Sequence, residues 1–237
     1  MLGQKHCPAN YSRYYFLVYY DGTHDSYLQK LLQSVKKWGP EFEVIVFHKK
    51  DMDPEFTEKN KDILSLPRGG GYWLWKPYII HNTLSKLNEC DILLYVDSKY
   101  FFTESFTAWI NHLLMNQDLC VFKNKPNEPS YPMKQWCKMD VIHQYGRTKQ
   151  VFEDNEEDCW AGFMVIRKTN FTTSFIQEWL TMCTYENITD SPSILPNDPV
   201  FIEHRHDQSL LSILLHKYQL QMPFFETRYL QNVRSPY

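Results

Sequence analysis

Glycine stands at positions 69, 70 and 71, with Arg68 directly before and Lys76 five residues after, in the stretch RGGGYWLWKPYII. Glycine lets a backbone approach a ligand closely or take positive φ. A helix is expected to start near Pro77, so exposed amides together with two cations would form an anion site suited to a diphosphate. The spacing matches neither the P-loop nor the dinucleotide fingerprint. A plain turn, with Trp73 and Trp75 covering the core, accounts for the same residues equally well, because glycine clusters mostly mark turns.

Two further stretches carry chemistry. DILLYVDSK is an apolar run that breaks at Asp97. A carboxylate at a strand's end can hold a divalent ion or a ribose hydroxyl, or simply act as a turn residue or helix cap. EHRHDQS, residues 203–209, packs His204 and His206, Arg205 and two carboxylates just ahead of a helix. The histidines could bind a metal or meet phosphate, while Asp207 or Ser209 would serve as N-cap; the density of titratable groups exceeds what capping needs. No G-x-S-x-G elbow and no HExxH pair occurs, which argues against those hydrolases.

The elements that must position these groups follow from hydrophobic pattern. Runs at 14–20, 42–48 and 91–96 read as buried strands, separated by helices over 26–38 and 74–87, with Pro77 placed in the second helix's first turn. The second half gives helices over 106–115, 135–145, 172–183 and 207–218, and strands over 118–123 and 160–167. Loops rich in proline cover 124–132 and 191–199. Strands alternating with helices imply an α/β fold with a mostly parallel central sheet flanked by helices, and ligands then bind beyond the strands' carboxyl ends. Asp21 and Asp97 both stand at such ends.

Composition narrows the field. Across 237 residues, a 43% apolar share supports a proper core, and one domain is enough for the length. A net charge of −3 with interspersed signs gives no basic stripe, so no nucleic-acid partner is expected. EDNEED, residues 153–158, reads as a solvated loop. Six scattered cysteines lack zinc spacing and are expected as free buried thiols. No run of 18 apolar residues and no leader pattern is visible, so no membrane segment is expected. Sequons at Asn10, Asn170 and Asn187 would matter only in a secretory compartment.

Taken in order, RGGGYWLWKPYII, DILLYVDS, WCKMD, WAGFMVIRKTNFTTSFIQEWL and FIEHRHDQSLLSILLHKY resemble the motifs of small nucleotide-sugar glycosyltransferases of the GT-A fold, across roughly residues 16–218. The resemblance implies a single Rossmann-like domain over 1–237, with a nucleotide-sugar half at about 14–105 and an acceptor and catalytic half at about 106–237. It implies a nucleotide-sugar donor and a glycan acceptor. Donor-binding residues would be Tyr20, Asp21, Arg68, Lys76, Asp97, Ser98, Lys99, Ala161, Gly162 and Gln208, with Tyr19 close to the base. Asp207 and His206 would be catalytic, and Trp160, Lys138 and Asp140 would meet the acceptor. Mn²⁺ or Mg²⁺ would sit on Asp97 and His206. Lys99 departs from the pattern, standing where the second carboxylate of the metal motif belongs. It either replaces part of the ion's charge by pairing with the diphosphate, or points away. The cytoplasm is the expected compartment, with the Golgi lumen as the alternative.

Overall fold

The computed structural model describes residues 12–123, 131–153 and 156–233. The apolar runs become strands: β1 (Tyr14–Tyr20), β2 (Phe42–His48), β3 (Ile92–Val96), β4 (Tyr100–Phe102), β5 (Leu119–Phe122), β6 (Trp160–Arg167) and β7 (Leu230–Asn232). Five of them form the central sheet in the order β2-β1-β3-β6-β5, while β4 and β7 pair separately. β1 lies parallel to β2 and β3, and β6 runs antiparallel to both β3 and β5. Four of the five strands therefore point the same way. β6 begins at the edge where β1, β2 and β3 end, which brings Trp160, Ala161 and Gly162 beside Asp97.

Side chains alternate across the sheet, so each strand feeds two cores. Phe16, Val18, Leu94 and Val96 pack with Leu31 and Val35 of the helix Asp25–Trp38 and with Phe102, Phe106 and Trp109. Leu17, Tyr19, Leu93 and Tyr95 face the helices Trp75–Leu84, Asn170–Met182 and His206–Lys217 through Ile79, Ile80, Trp179, Leu211 and Leu214. The α/β fold with helices on both faces is thus the expected one.

Local chemistry sets the helix limits. Gly39 stops the first helix, its amide donating to the Val35 carbonyl at 2.9 Å. Thr169 caps the helix that starts at Asn170, its hydroxyl accepting from the Thr172 amide at 3.1 Å. The single helix expected over 135–145 is instead two short ones, Met133–Trp136 and Met139–Gln144. Cys137 and Lys138 between them are extended, which lets the Lys138 ammonium reach the carbonyls of Thr189 and Ser191. Short helices at Pro54–Lys59 and Lys61–Leu64, and the β4–β7 pair, had no counterpart in the sequence reading. Free thiols hold for Cys120, Cys137, Cys159 and Cys183, but Cys90 is disulfide-bonded. Cys7, Asn10, residues 154–155 and most of the 124–132 loop lie outside the described residues. Asn187 is buried and donates to the Tyr145 hydroxyl and the Met182 carbonyl, so in the folded chain it is no acceptor for a glycan.

The glycine run resolves into a left-handed turn. Five consecutive residues have positive φ: Gly69 (58°), Gly70 (60°), Gly71 (98°), Tyr72 (52°) and Trp73 (58°). The amides of Gly70, Gly71, Tyr72 and Trp73 donate to the carbonyls of Pro67, Arg68, Arg68 and Gly69. They are consumed by the turn itself, which overturns the expectation of an open amide cradle for phosphate. Three glycines are needed because an L-residue in this conformation costs about 1–2 kcal/mol. The turn then hands the chain to the helix Trp75–Leu84, with Lys76 in its first turn.

The glycines of this turn are unequal. A Cβ on Gly71 would lie 2.8 Å from the Leu64 Cα, whereas one on Gly70 meets nothing nearer than 3.8 Å. Gly70→Ala is expected to lose about 1 kcal/mol from the backbone alone. Gly71→Ala should lose at least twice that, about 2 kcal/mol or more, because backbone must also move. Urea denaturation of both variants checks this, and equal losses would contradict it.

Candidate active site at the carboxyl edge of the sheet

The centre is a buried ion pair. Lys76, from the first turn of its helix, places Nζ 2.8 Å from Oδ2 of Asp207, the second residue of the helix His206–Lys217; both side chains are only 5% exposed. The indole of Trp179 donates to the Asp207 carbonyl at 2.9 Å and fixes that helix start from below. Desolvation works to lower the Lys76 ammonium, but Asp207 and Asp97 together hold it above the usual lysine range. Asp207 rises above the ordinary carboxylate range through burial, with the charge of Asp97 adding, and Lys76 only partly offsets this.

Asp97 forms the outer wall. Its Oδ1 accepts the Tyr95 hydroxyl at 2.7 Å, and its Oδ2 lies 3.3 Å from Lys99 Nζ. Burial pushes its carboxyl up, yet Lys76, Lys99 and the Tyr95 hydroxyl outweigh that and hold it below the usual value. Two neighbouring carboxylates are therefore driven apart, Asp97 toward the ionised form and Asp207 toward a proton acceptor, the division of labour that acid–base sites use. The Asp97 amide donates to the Gly162 carbonyl at 2.9 Å, extending the β3–β6 ladder by one bond. A Cβ on Gly162 would lie 2.6 Å from Trp160 Nε1 and 3.0 Å from Asp97 Oδ2, so only glycine keeps this corner open.

The other expected donor residues are more dispersed. Ala161 is buried in β6, Ser98 is half-buried beside Asp97, and Gln208 sits on the helix next to Asp207. Tyr20 meets His48 edge to face, and exposed Asp21 closes a turn by accepting from the amide and hydroxyl of Thr23. Trp75 and Tyr19 stack on one another at 3.9 Å within the core. Trp160 is half-buried, against Tyr100 and Phe225.

Arg68 and His206 belong to a neighbouring group. Arg68 makes ion pairs with Asp190 at 3.0 Å and Glu203 at 2.9 Å, and the Tyr72 hydroxyl donates to Asp190. His206 has its ring against Tyr72 and Trp73, with centroids 4.8 and 5.6 Å away, and its Nδ1 bonds the Ile188 carbonyl. Burial lowers its pKa, so the ring is held neutral. His204 is likewise buried, bonded to the Asn187 carbonyl and shifted well down by desolvation. Both histidines thus pin residues 187–188 to the start of the helix His206–Lys217. Lys138 bonds Thr189 and Ser191, and Asp140 accepts the amides of Ile194 and Leu195, so both staple the proline-rich loop 191–199.

The residues do not fit the expected Mn²⁺ or Mg²⁺. Such ions need several oxygen ligands, and among the described residues no group of three or more His, Cys, Asp or Glu side chains could hold a metal. Asp97 is bordered by the ammonium groups of Lys99 and Lys76, and His206, whose Nδ1 is taken by Ile188 while its Nε2 makes no hydrogen bond, turns that Nε2 toward Asp190 Oδ1 at 3.8 Å.

One site residue escaped the sequence reading. Asp158, the last residue of the supposedly solvated EDNEED, is 3% exposed; Gln208 Nε2 approaches its Oδ2 at 3.4 Å and its Oδ1 has no partner. Burial pushes its carboxyl up to about 7 against the pull of Ser212, Gln208 and Arg205, while the Asp207 charge adds to the rise. Its place just before the strand at Trp160 was the available signal.

The folded chain therefore keeps a proton on Asp158 that the unfolded chain releases near pH 4. Stability contributed by this group falls as pH rises from about 4 to about 7 and is level above, at about 1.4 kcal/mol per pH unit. In urea denaturation across this range, Asp158→Asn should gain on the parent chain steadily up to about pH 7. A difference that does not change with pH would contradict the buried, protonated carboxyl.

No family model matches the chain, and no curated protein matches it. Solved structures to which it is similar include glycosyltransferases. Galactosyltransferase LgtC, in complex with donor and acceptor sugar analogs, is 15% identical over 90% of this chain and 74% of that chain, with a TM-score of 0.48. A glycosyltransferase involved in glycosylation of the major capsid of PBCV-1 is 10% identical over 89% of this chain and 79% of that one, with a TM-score of 0.48. The apo-form glycosyltransferase GlyE of Streptococcus pneumoniae is 11% identical with a TM-score of 0.47. There the match covers 91% of this chain but only 46% of that one.

Proposed function

We propose that this chain is a glycosyltransferase that moves a hexosyl or pentosyl group from a nucleoside-diphosphate sugar to a hydroxyl of a glycan or other acceptor. The observation that carries the reading is the constellation of Lys76, Asp207 and Asp97 at the carboxyl edge of the sheet, beside the open corner at Gly162. Ligands of open α/β sheets bind at that edge. The order of motifs along the chain supports the same reading.

The transfer breaks the bond between the anomeric carbon and the diphosphate oxygen and forms one from the acceptor oxygen to that carbon. The diphosphate leaves with the bonding electrons, so cations near it lower the barrier. If configuration inverts, the acceptor's proton passes to a carboxylate on the opposite face. Asp207 suits this role because burial raises its pKa toward the working range of a general base. If configuration is retained, Asp207 and Gln208 orient the sugar instead. A disulfide at Cys90 favours an oxidising lumen over the cytoplasm. No helix among the described residues is long and apolar enough to cross a membrane.

A second reading, a non-catalytic sugar- or nucleotide-sugar-binding protein, is favoured by Arg68, whose charge is already met by Asp190 and Glu203. A thermal-shift panel of nucleotide sugars, followed by donor hydrolysis on any hit, separates the two. Stabilisation with slow hydrolysis is expected, and Asp207→Asn should cut that turnover by about 100-fold or more while keeping the thermal shift. Stabilisation without turnover would leave the binding protein, and no shift with any donor would sink the transferase.

A further inference from the structure

We propose that this chain binds a nucleoside diphosphate without a divalent cation, the Lys99 ammonium taking the position an ion would fill. The inference rests on the nucleotide-sugar reading above and adds how the diphosphate charge is met.

Both carboxylates at the strand edge already have ammonium partners. Asp207 Oδ2 lies 2.8 Å from Lys76 Nζ, and Asp97 Oδ2 lies 3.3 Å from Lys99 Nζ, with the other Asp97 oxygen taken by the Tyr95 hydroxyl. Two lysines and two aspartates make the group formally neutral. A divalent ion at Asp97 would have to displace Lys99 and then sit within the field of Lys76, with no third acidic or imidazole ligand within reach among the described residues. Like charges so close oppose binding.

The two lysines differ in freedom. Lys76 is 5% exposed and cannot leave Asp207 without stranding a buried carboxylate, whereas the Lys99 side chain is 37% exposed. Lys99 can turn from Asp97 to a phosphate oxygen because Asp97 keeps the Tyr95 hydroxyl and remains near Lys76. A lysine ammonium is a compact charge with three donors on a flexible stem, well matched to a diphosphate. Lys99 follows β3 by three residues and its carbonyl accepts from the Val233 amide, so its backbone is anchored while its side chain reaches solvent.

The test uses the whole chain and four probes, UDP, GDP, ADP and CDP, in calorimetry with either EDTA or Mn²⁺, beside Mn²⁺ titration by electron paramagnetic resonance. The parent chain is expected to bind one probe with the same affinity in both buffers and to leave the free Mn²⁺ signal unchanged. Lys99→Ala should weaken that binding about tenfold or more. Lys99→Asp, which places a second carboxylate two residues after Asp97, should lose binding in EDTA, regain it with Mn²⁺, and bind Mn²⁺ itself. Its metal-dependent recovery also shows that the variant is folded. Binding by the parent chain only with Mn²⁺, or unchanged affinity in Lys99→Ala, would overturn the metal-free site while leaving the nucleotide-sugar reading intact. No binding of any probe in either buffer would remove both.

Discussion

A buried ammonium is the constraint around which the site is arranged. Removing a lysine from water costs several kcal/mol unless a carboxylate meets it, and deleting one member of such a pair typically costs about 3–5 kcal/mol. Lys76 meets Asp207 at 2.8 Å and lies within the field of Asp97, and these three come from different elements: the helix Trp75–Leu84, the helix His206–Lys217 and the end of β3. The pair therefore ties both helices to the sheet edge. Satisfying Lys76 and building the site are the same act.

Strain gathers at this point from both sides. Tyr72 and Trp73, shortly before Lys76, and His206, immediately before Asp207, all hold left-handed backbone. Each such residue costs about 1–2 kcal/mol, and strain of this kind tends to collect where a geometry is used. Its compensation is visible in the packing. The His206 imidazole is in contact with both the Tyr72 and Trp73 rings, and its Nδ1 bonds the Ile188 carbonyl. The three strained residues hold one another, so the aromatic contact sets the approach of the two helices that carry the ion pair. The His206 ring thereby clamps the turn.

Periodicity made the architecture legible. Strands at Tyr14–Tyr20, Phe42–His48 and Trp160–Arg167 have the limits their apolar runs suggest; the first and last are buried along most of their length, while Phe42–His48, at the sheet's edge, is exposed at Glu43 and Val44. Lys76, Asp97, Gly162 and Asp207 were legible as neighbours of the sheet edge, because Lys76 and Asp207 open helices, Asp97 follows β3 and Gly162 lies near the start of β6. Handedness was not. Composition marks glycines as permissive without saying that five residues in a row turn left, and so the amides that seemed available for phosphate are spent inside the turn. Arg68 likewise finds Asp190 and Glu203, 122 and 135 residues away along the chain. Asp158 looked solvated because its acidic neighbours hide the fact that Tyr131 binds its amide and Gln208 its carboxyl. These contacts arise only when distant segments meet.

Neutrality of the resting site bears on how it can take a charged ligand. With Asp97 and Asp207 each facing an ammonium, a diphosphate gains nothing until one ion pair is exchanged for another. Exchange at Lys76 would leave Asp207 alone in a dry setting, an expensive state. Exchange at Lys99 leaves Asp97, which is 21% exposed, with the Tyr95 hydroxyl and with water. The two lysines are thereby sorted by burial into one that holds the helices together and one with room to change partner. That sorting also protects Asp207: while Lys76 stays in place, the carboxylate's basicity is set by the fold and not by whatever occupies the outer wall.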